Sequence, residues 1–201
     1  MPVTINGDGS ITGLSVGGLP NGTVDADTLS SNCVTSAKLA TKTFTSYAII
    51  ADVKASNADG GDFDNGAWRT RALNTEIADP DGIVSLSSNQ FTLGAGSYLI
   101  EFSAPACRLG SHQTRLYNAT TSSEVVIGTS HYATPSSGGA DQTSMGAGRV
   151  TITGSTAFEI QHRGNANSNV GEDTYGFGVG TSGGHSWGST MFCLVKIYKE
   201  A

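Results

Sequence analysis

Phe91-Thr-Leu-Gly-Ala-Gly-Ser-Tyr-Leu-Ile-Glu-Phe-Ser-Ala-Pro-Ala106 carries the clearest strand pattern of the chain. Tyr98, Ile100 and Phe102 fall on one face, and Leu99, Glu101 and Ser103 on the other. A period of two is the side-chain period of a strand with one face committed to a core, and the preceding glycines break the run before it. The same pattern recurs on both sides. Tyr47–Ala55, Ala67–Leu73, Ile83–Leu86, Gln113–Asn118, Val125–Ser130, Gly148–Thr153, Phe158–Arg163, Tyr175–Val179 and Met191–Tyr198 are short β-branched or aromatic runs separated by Gly, Asn, Asp and Ser. About nine or ten such strands in one domain predict an all-β jelly-roll sandwich over residues 47–201. Helical periodicity is nearly absent, a short turn at 35–39 being the exception.

The first quarter follows a different rule. Leu14, Leu19, Val24, Leu29, Val34, Leu39, Phe44 and Ile49 recur at an unbroken interval of five, among Gly, Ser, Thr, Asn, Asp, Ala and Lys. Five fits neither the face of a helix nor that of a strand, so the series reads as a repeat architecture. In a single chain, burying these side chains would not offset the entropy of ordering their backbone. Several chains wound about a common axis can bury them and also share backbone hydrogen bonds. Residues 14–46 are therefore expected to form a trimeric stalk with this series on its axis, and the alternative from composition is a Gly/Ser/Thr-rich linker. Residues 1–13, Gly-rich and out of register, are expected to be an anchoring tip.

The totals exclude several classes. With 201 residues there is room for one domain and a stalk, and no stretch approaches the apolar length of a transmembrane helix. Met1 to Gly9 lacks the basic and apolar regions of a signal peptide. A net charge of −6 argues against a nucleic-acid partner, because phosphate binding needs clustered Lys and Arg. Cys33, Cys107 and Cys193 are odd in number and widely spaced, which fits free thiols in a chain assembled in a reducing cytoplasm.

The run quoted above, with His112-Gln-Thr-Arg-Leu-Tyr-Asn118 and Phe158-Glu-Ile-Gln-His-Arg163, resembles the distal domain of bacteriophage fibre proteins. These in turn are similar to the trimeric jelly-roll heads of the complement and tumour-necrosis-factor superfamily. Gly17-Gly-Leu-Pro-Asn-Gly-Thr-Val-Asp-Ala-Asp-Thr-Leu29 and Val34-Thr-Ser-Ala-Lys-Leu39 resemble the linking region that precedes such domains in phage structural proteins. The likeness implies a homotrimeric virion fibre. Its partners would be phage capsid or tail proteins at the N-terminus and a host-surface glycan or protein at the head. Tail and capsid mounting stay as alternatives, as do a capsid decoration without receptor role and a glycan-depolymerising tailspike.

Little in the sequence points to catalysis. His112, His131, His162 and His185 have no metal-ligand spacing among themselves, and no Gly-x-Ser-x-Gly, phosphate loop or His-Glu-x-x-His occurs. For His112 and His162, hydrogen bonding within a sheet or at a subunit contact is the ordinary explanation. The clusters Asp59, Asp62, Asp64 and Glu76, Asp79, Asp81 offer oxygens for calcium, but Asp is also what turns select for local hydrogen bonds. No enzyme activity, cofactor or metal is expected. Ligand binding is assigned to the Gly/Ser/Asn-rich segments 131–147 and 164–190, with Tyr175, His185 and Trp187 as the residues that would stack on and hydrogen-bond a glycan.

Overall fold

The computed structural model describes residues 4–5, 7, 11–12, 43–135, 141–167, 176–180 and 188–201. The chain divides into two compact units, 1–42 and 43–201. In the first, β1 (Thr4–Ile5) pairs antiparallel with β2 (Ile11–Thr12). The second is all-β among the described residues. It contains β3 (Phe44–Lys54), β4 (Arg69–Thr70), β5 (Thr75–Ala78), β6 (Val84–Ser87), β7 (Gln90–Leu93), β8 (Gly96–Ala106), β9 (Gly110–Asn118), β10 (Ser123–Ala133), β11 (Gln142–Ile152), β12 (Thr156–Gly164) and β13 (Thr190–Glu200). One antiparallel sheet runs β10-β9-β12-β7-β6, with β4 pairing to β12, and the other runs β11-β8-β13-β3-β5. Two facing antiparallel sheets of this kind are consistent with a jelly-roll sandwich.

The alternation in β8 is as expected: Tyr98, Ile100, Phe102 and Ala104 are buried, while the residues between them are part-exposed. They meet Ala48 and Ile50 of β3, Val195 and Ile197 of β13, and Phe91, Leu93, Leu116, Phe158 and Ile160 of the opposite sheet in one core. Phe91 and Phe158 are direct register partners and stack with ring centroids 5.7 Å apart. Between β6 and β7 only Ser88 and Asn89 turn the chain, both at positive φ (53° and 63°), the geometry of a two-residue type I′ hairpin.

Several boundaries differ from the sequence-based expectation. β3 begins at Phe44, ahead of the expected strand start at Tyr47, so Phe44 and Ile49, the last two members of the five-residue series, lie in it. Leu14, Leu19, Val24, Leu29, Val34 and Leu39 lie outside the described residues, as does the turn at 35–39. The expected strand at 67–73 shrinks to Arg69–Thr70, because Arg71 turns inward there, and Thr75–Ala78 is a strand that its polar sequence concealed. Residues 176–180 are turn and coil. Residues 131–133 and 142–147, assigned to a binding loop, belong to β10 and β11.

A cross-strand contact within one sheet tests this packing. A Cβ placed on Gly146 of β11 would come within 2.3 Å of the Phe102 ring, whereas one on Gly154 meets nothing within 4 Å. Gly146→Ala should lower unfolding stability by about 1–3 kcal/mol, and Gly154→Ala should change it by less than about 0.5 kcal/mol. Denaturant titration of the two variants checks the difference.

Candidate functional site

At one end of the sandwich the core stops being apolar. Arg71, fully buried, is held by its backbone N–H donating to Ile160 O at 2.8 Å. Its guanidinium donates to Pro105 O at 3.1 Å and Phe177 O at 2.9 Å and lies 4.2 Å from the Phe177 ring centroid. Burial pulls this group below its ordinary pKa, opposed by nearby Cys193 and Asp52. Asp52 accepts from Asn74 Nδ2 at 3.1 Å and lies 3.4 Å from Lys54 Nζ. Burial pushes the Cys193 thiol up to about 11, so it stays protonated.

Beside Arg71 sits a pair of histidines. His112 of β9 and His162 of β12 are both buried, and His112 Nδ1 is 2.9 Å from His162 Nε2. The antiparallel register of β9 with β12 places Thr114 opposite His162, two residues from His112, and that of β10 with β9 places His131 opposite His112. His131 stacks over His112 at 6.1 Å, and Phe63 and Phe177 flank His162 at 6.3 and 6.1 Å. The remaining ring nitrogens, His112 Nε2 and His162 Nδ1, are buried without a partner. Burial, with the positive Arg71 and the neighbouring imidazoles, lowers His112 to about 4 and His162 well below the ordinary value. Both rings are therefore neutral near pH 7. One donates to the other, and among the described residues neither holds a hydroxyl, thiol or carboxylate.

On the outer face of the same sheet, Trp68, Arg115 and Tyr117 form a stacked ladder. The Arg115 guanidinium lies 4.2 Å from the Trp68 ring and 4.7 Å from that of Tyr117, and it bonds Gln161 Oε1 at 2.8 Å and Glu124 at 3.2 Å. The ladder ends at a cavity of about 250 Å³ lined by Trp68, Gln113, Ser130, Arg163 and Asn165.

Of the residues assigned to ligand binding, Tyr175, His185 and Trp187 lie outside the described residues. Phe177 closes the core against Phe63, ring centroids 5.5 Å apart. Of the acidic turns, Asp79 serves locally, accepting from Ile83 and Val84 N–H at 2.9 Å, whereas Asp81 accepts from the distant Ser46 at 2.6 Å and Asp59 from Gly180 N–H at 2.7 Å. Hydrogen bonding within the sheet was expected for His112 and His162, but their pairing with each other, 50 positions apart, and the Trp68 cavity, whose members span about 100 positions, were not legible, because strand register brings them together.

No family model matches the chain, and no curated protein matches it by sequence. Solved structures similar to it include the globular domain of a zebrafish complement 1qA protein (11% identity, 77% of this chain and 96% of that one, TM-score 0.45). Others are the Eiger TNF of S. frugiperda (9%, 80% and 94%, 0.48) and the PRD1 vertex protein P5 (11%, 79% and 99%, 0.43).

The histidine pair makes stability depend on pH. Both folded-state values lie below the ordinary 6.5, so on acidification the unfolded chain takes up protons first. The stability contributed by the neutral pair is present above about pH 6.5 and is lost as the pH falls toward 4. Denaturant midpoints taken across that interval should fall, and the double variant His112→Gln, His162→Gln should show a shallower fall. Equal slopes in the two proteins would contradict the assignment.

Proposed function

We propose that the chain is a structural fibre protein of a virion, attached by its N-terminus, whose head assembles as a homotrimer and meets the host surface. The observation that carries self-association is the outer face of the β11-β8-β13-β3-β5 sheet. Register aligns Met145, Ser103 and Leu194 in one row, Ala147, Glu101, Lys196 and Ile49 in the next, and Arg149, Leu99, Tyr198 and Tyr47 in a third. Met145 is 53% and Tyr47 44% exposed, and Leu99, Leu194, Tyr198 and Ile49 are part-exposed beside them. Glu101 and Lys196 pair across the middle at 3.9 Å. Charge is sparse and mutually compensated on this face, and apolar patches of this kind on soluble proteins mark contact surfaces.

A second copy of the chain is the occupant this face fits. The five-residue series runs into β3, where its last member Ile49 lies on this same face and Phe44 packs its ring 5.2 Å from that of Tyr198. The same five-residue series thus supplies an apolar residue to the face proposed for the contact. A virion setting is supported by the resemblance of the three quoted runs to phage fibre heads, and by a stalk-like repeat preceding a β-sandwich. Structure and adhesion, without catalysis, suit a site region in which the buried histidines bond each other.

The face is tested by charge. Met145→Glu combined with Leu194→Glu should convert a species of three times the chain mass into monomer in light scattering. Ile127→Glu, equally exposed but on the other sheet, should leave the trimer intact. A trimer surviving the double change, or absent from the unaltered protein, would contradict the proposal.

A further inference from the structure

The geometry points to a binding site for a carboxylate-bearing saccharide in the cleft between Trp68 and Arg163, on the sheet opposite the proposed subunit contact. This rests on the adhesive part of the function proposed above and names its ligand class. The cavity of about 250 Å³ described above shares Arg163, Gly164 and Asn165 with an adjoining one of about 260 Å³, which Asn65 and Gly66 complete. Together they make a cleft of the size that takes a small ligand.

The cleft is built before any ligand arrives. Trp68 is fixed by the Arg115 guanidinium on its ring, and Arg115 is held in turn by Gln161 and Glu124. Asn165 is locked from both ends: its Oδ1 accepts from Ser111 N–H at 2.9 Å, and its own N–H donates to Leu109 O and Ser111 O at 3.1 Å. That leaves Asn165 Nδ2 as a donor with no partner among the described residues. Gln113 spends its Nε2 on Gly128 O and Ser130 Oγ, both at 2.9 Å, which leaves its Oε1 to accept. Gly164 packs against the core behind the cleft, where a Cβ would meet Leu109 at 2.9 Å and Phe63 at 3.3 Å.

These groups select the chemistry. An indole, one fixed amide donor and one fixed amide acceptor are what a pyranose needs, with its apolar C–H face and its hydroxyls that both donate and accept. Arg163 adds the acid preference. It is exposed, and among the described residues no carboxylate pairs with it, although the chain carries a net charge of −6. An unpaired guanidinium offers a bidentate fork that matches a carboxylate. Weak single sites of this kind become effective when three stand on one particle-mounted head.

The test uses the full chain and isothermal titration with methyl glucuronide, methyl sialoside and methyl glucoside. Binding of at least one acidic sugar, about tenfold tighter than the neutral glucoside, is expected. Arg163→Gln should abolish that preference while retaining weak binding of the ring, and Trp68→Ala should abolish both. No heat from either acidic sugar at millimolar concentration, or binding unchanged in both variants, would overturn the site. Light scattering on the same samples separates the two proposals. A trimer that binds no sugar refutes the cleft alone, and a monomer that binds acidic sugar refutes the subunit contact alone.

Discussion

The architecture depends on β13, a strand apolar on both faces. Its inward residues Cys193, Val195 and Ile197 are completely buried, and its outward residues include Leu194 and Tyr198. It lies between β3 and β8 and is laddered to both from Leu194 to Lys199, so it ties the two together in one sheet. A sandwich uses one face of such a strand. The other face must be covered by something else or left against water at a cost that grows with its apolar area. Self-association relieves that cost in the simplest way for a chain whose first quarter already repeats an apolar residue every five positions.

Apolar packing does not extend through the whole sandwich. At one end Arg71, His112 and His162 take the place of hydrophobic residues, and the fold meets part of their hydrogen-bonding capacity through two backbone carbonyls, the Phe177 ring and a histidine–histidine hydrogen bond, leaving Arg71 Nε, His112 Nε2 and His162 Nδ1 without a partner. Removing a single partner there would leave a buried polar group exposed to no solvent and bonded to nothing, so the region is ordered by polar geometry as much as by packing. Arg163 follows His162 directly in β12, and Gln113 follows His112 in β9. The two strands that carry the inner histidines thus carry the walls of the outer cleft on their alternate faces. Rigidity inside fixes the positions of the donors outside.

Much of the fold was legible because alternation is a local property. The run from Tyr98 to Ser103 declared its faces, and Cys193, Val195 and Ile197 theirs, without reference to any partner strand. Where side chains broke the pattern, so did legibility. Thr75–Ala78 is a polar edge strand, and Arg71 is a charged residue turned into the core. The candidate sites were less visible still. His112, His131 and His162 belong to three strands, and Trp68 reaches its cavity from a segment about 45 to 100 positions away from Gln113 and Arg163. Such groupings follow from register and sheet order, which composition and spacing do not encode.

The most direct measurement is the oxidation rate of Met145 in the intact protein under hydroxyl-radical footprinting, read by mass spectrometry at concentrations above and below dissociation. In a single chain Met145 is 53% exposed, on the β11 edge of the proposed contact. If copies of the chain cover this face, Met145 is protected in the assembled state and reacts as an open methionine after dilution to monomer. Rapid oxidation at every concentration, with assembly otherwise evident, would show that the face stays open to water and would contradict the account.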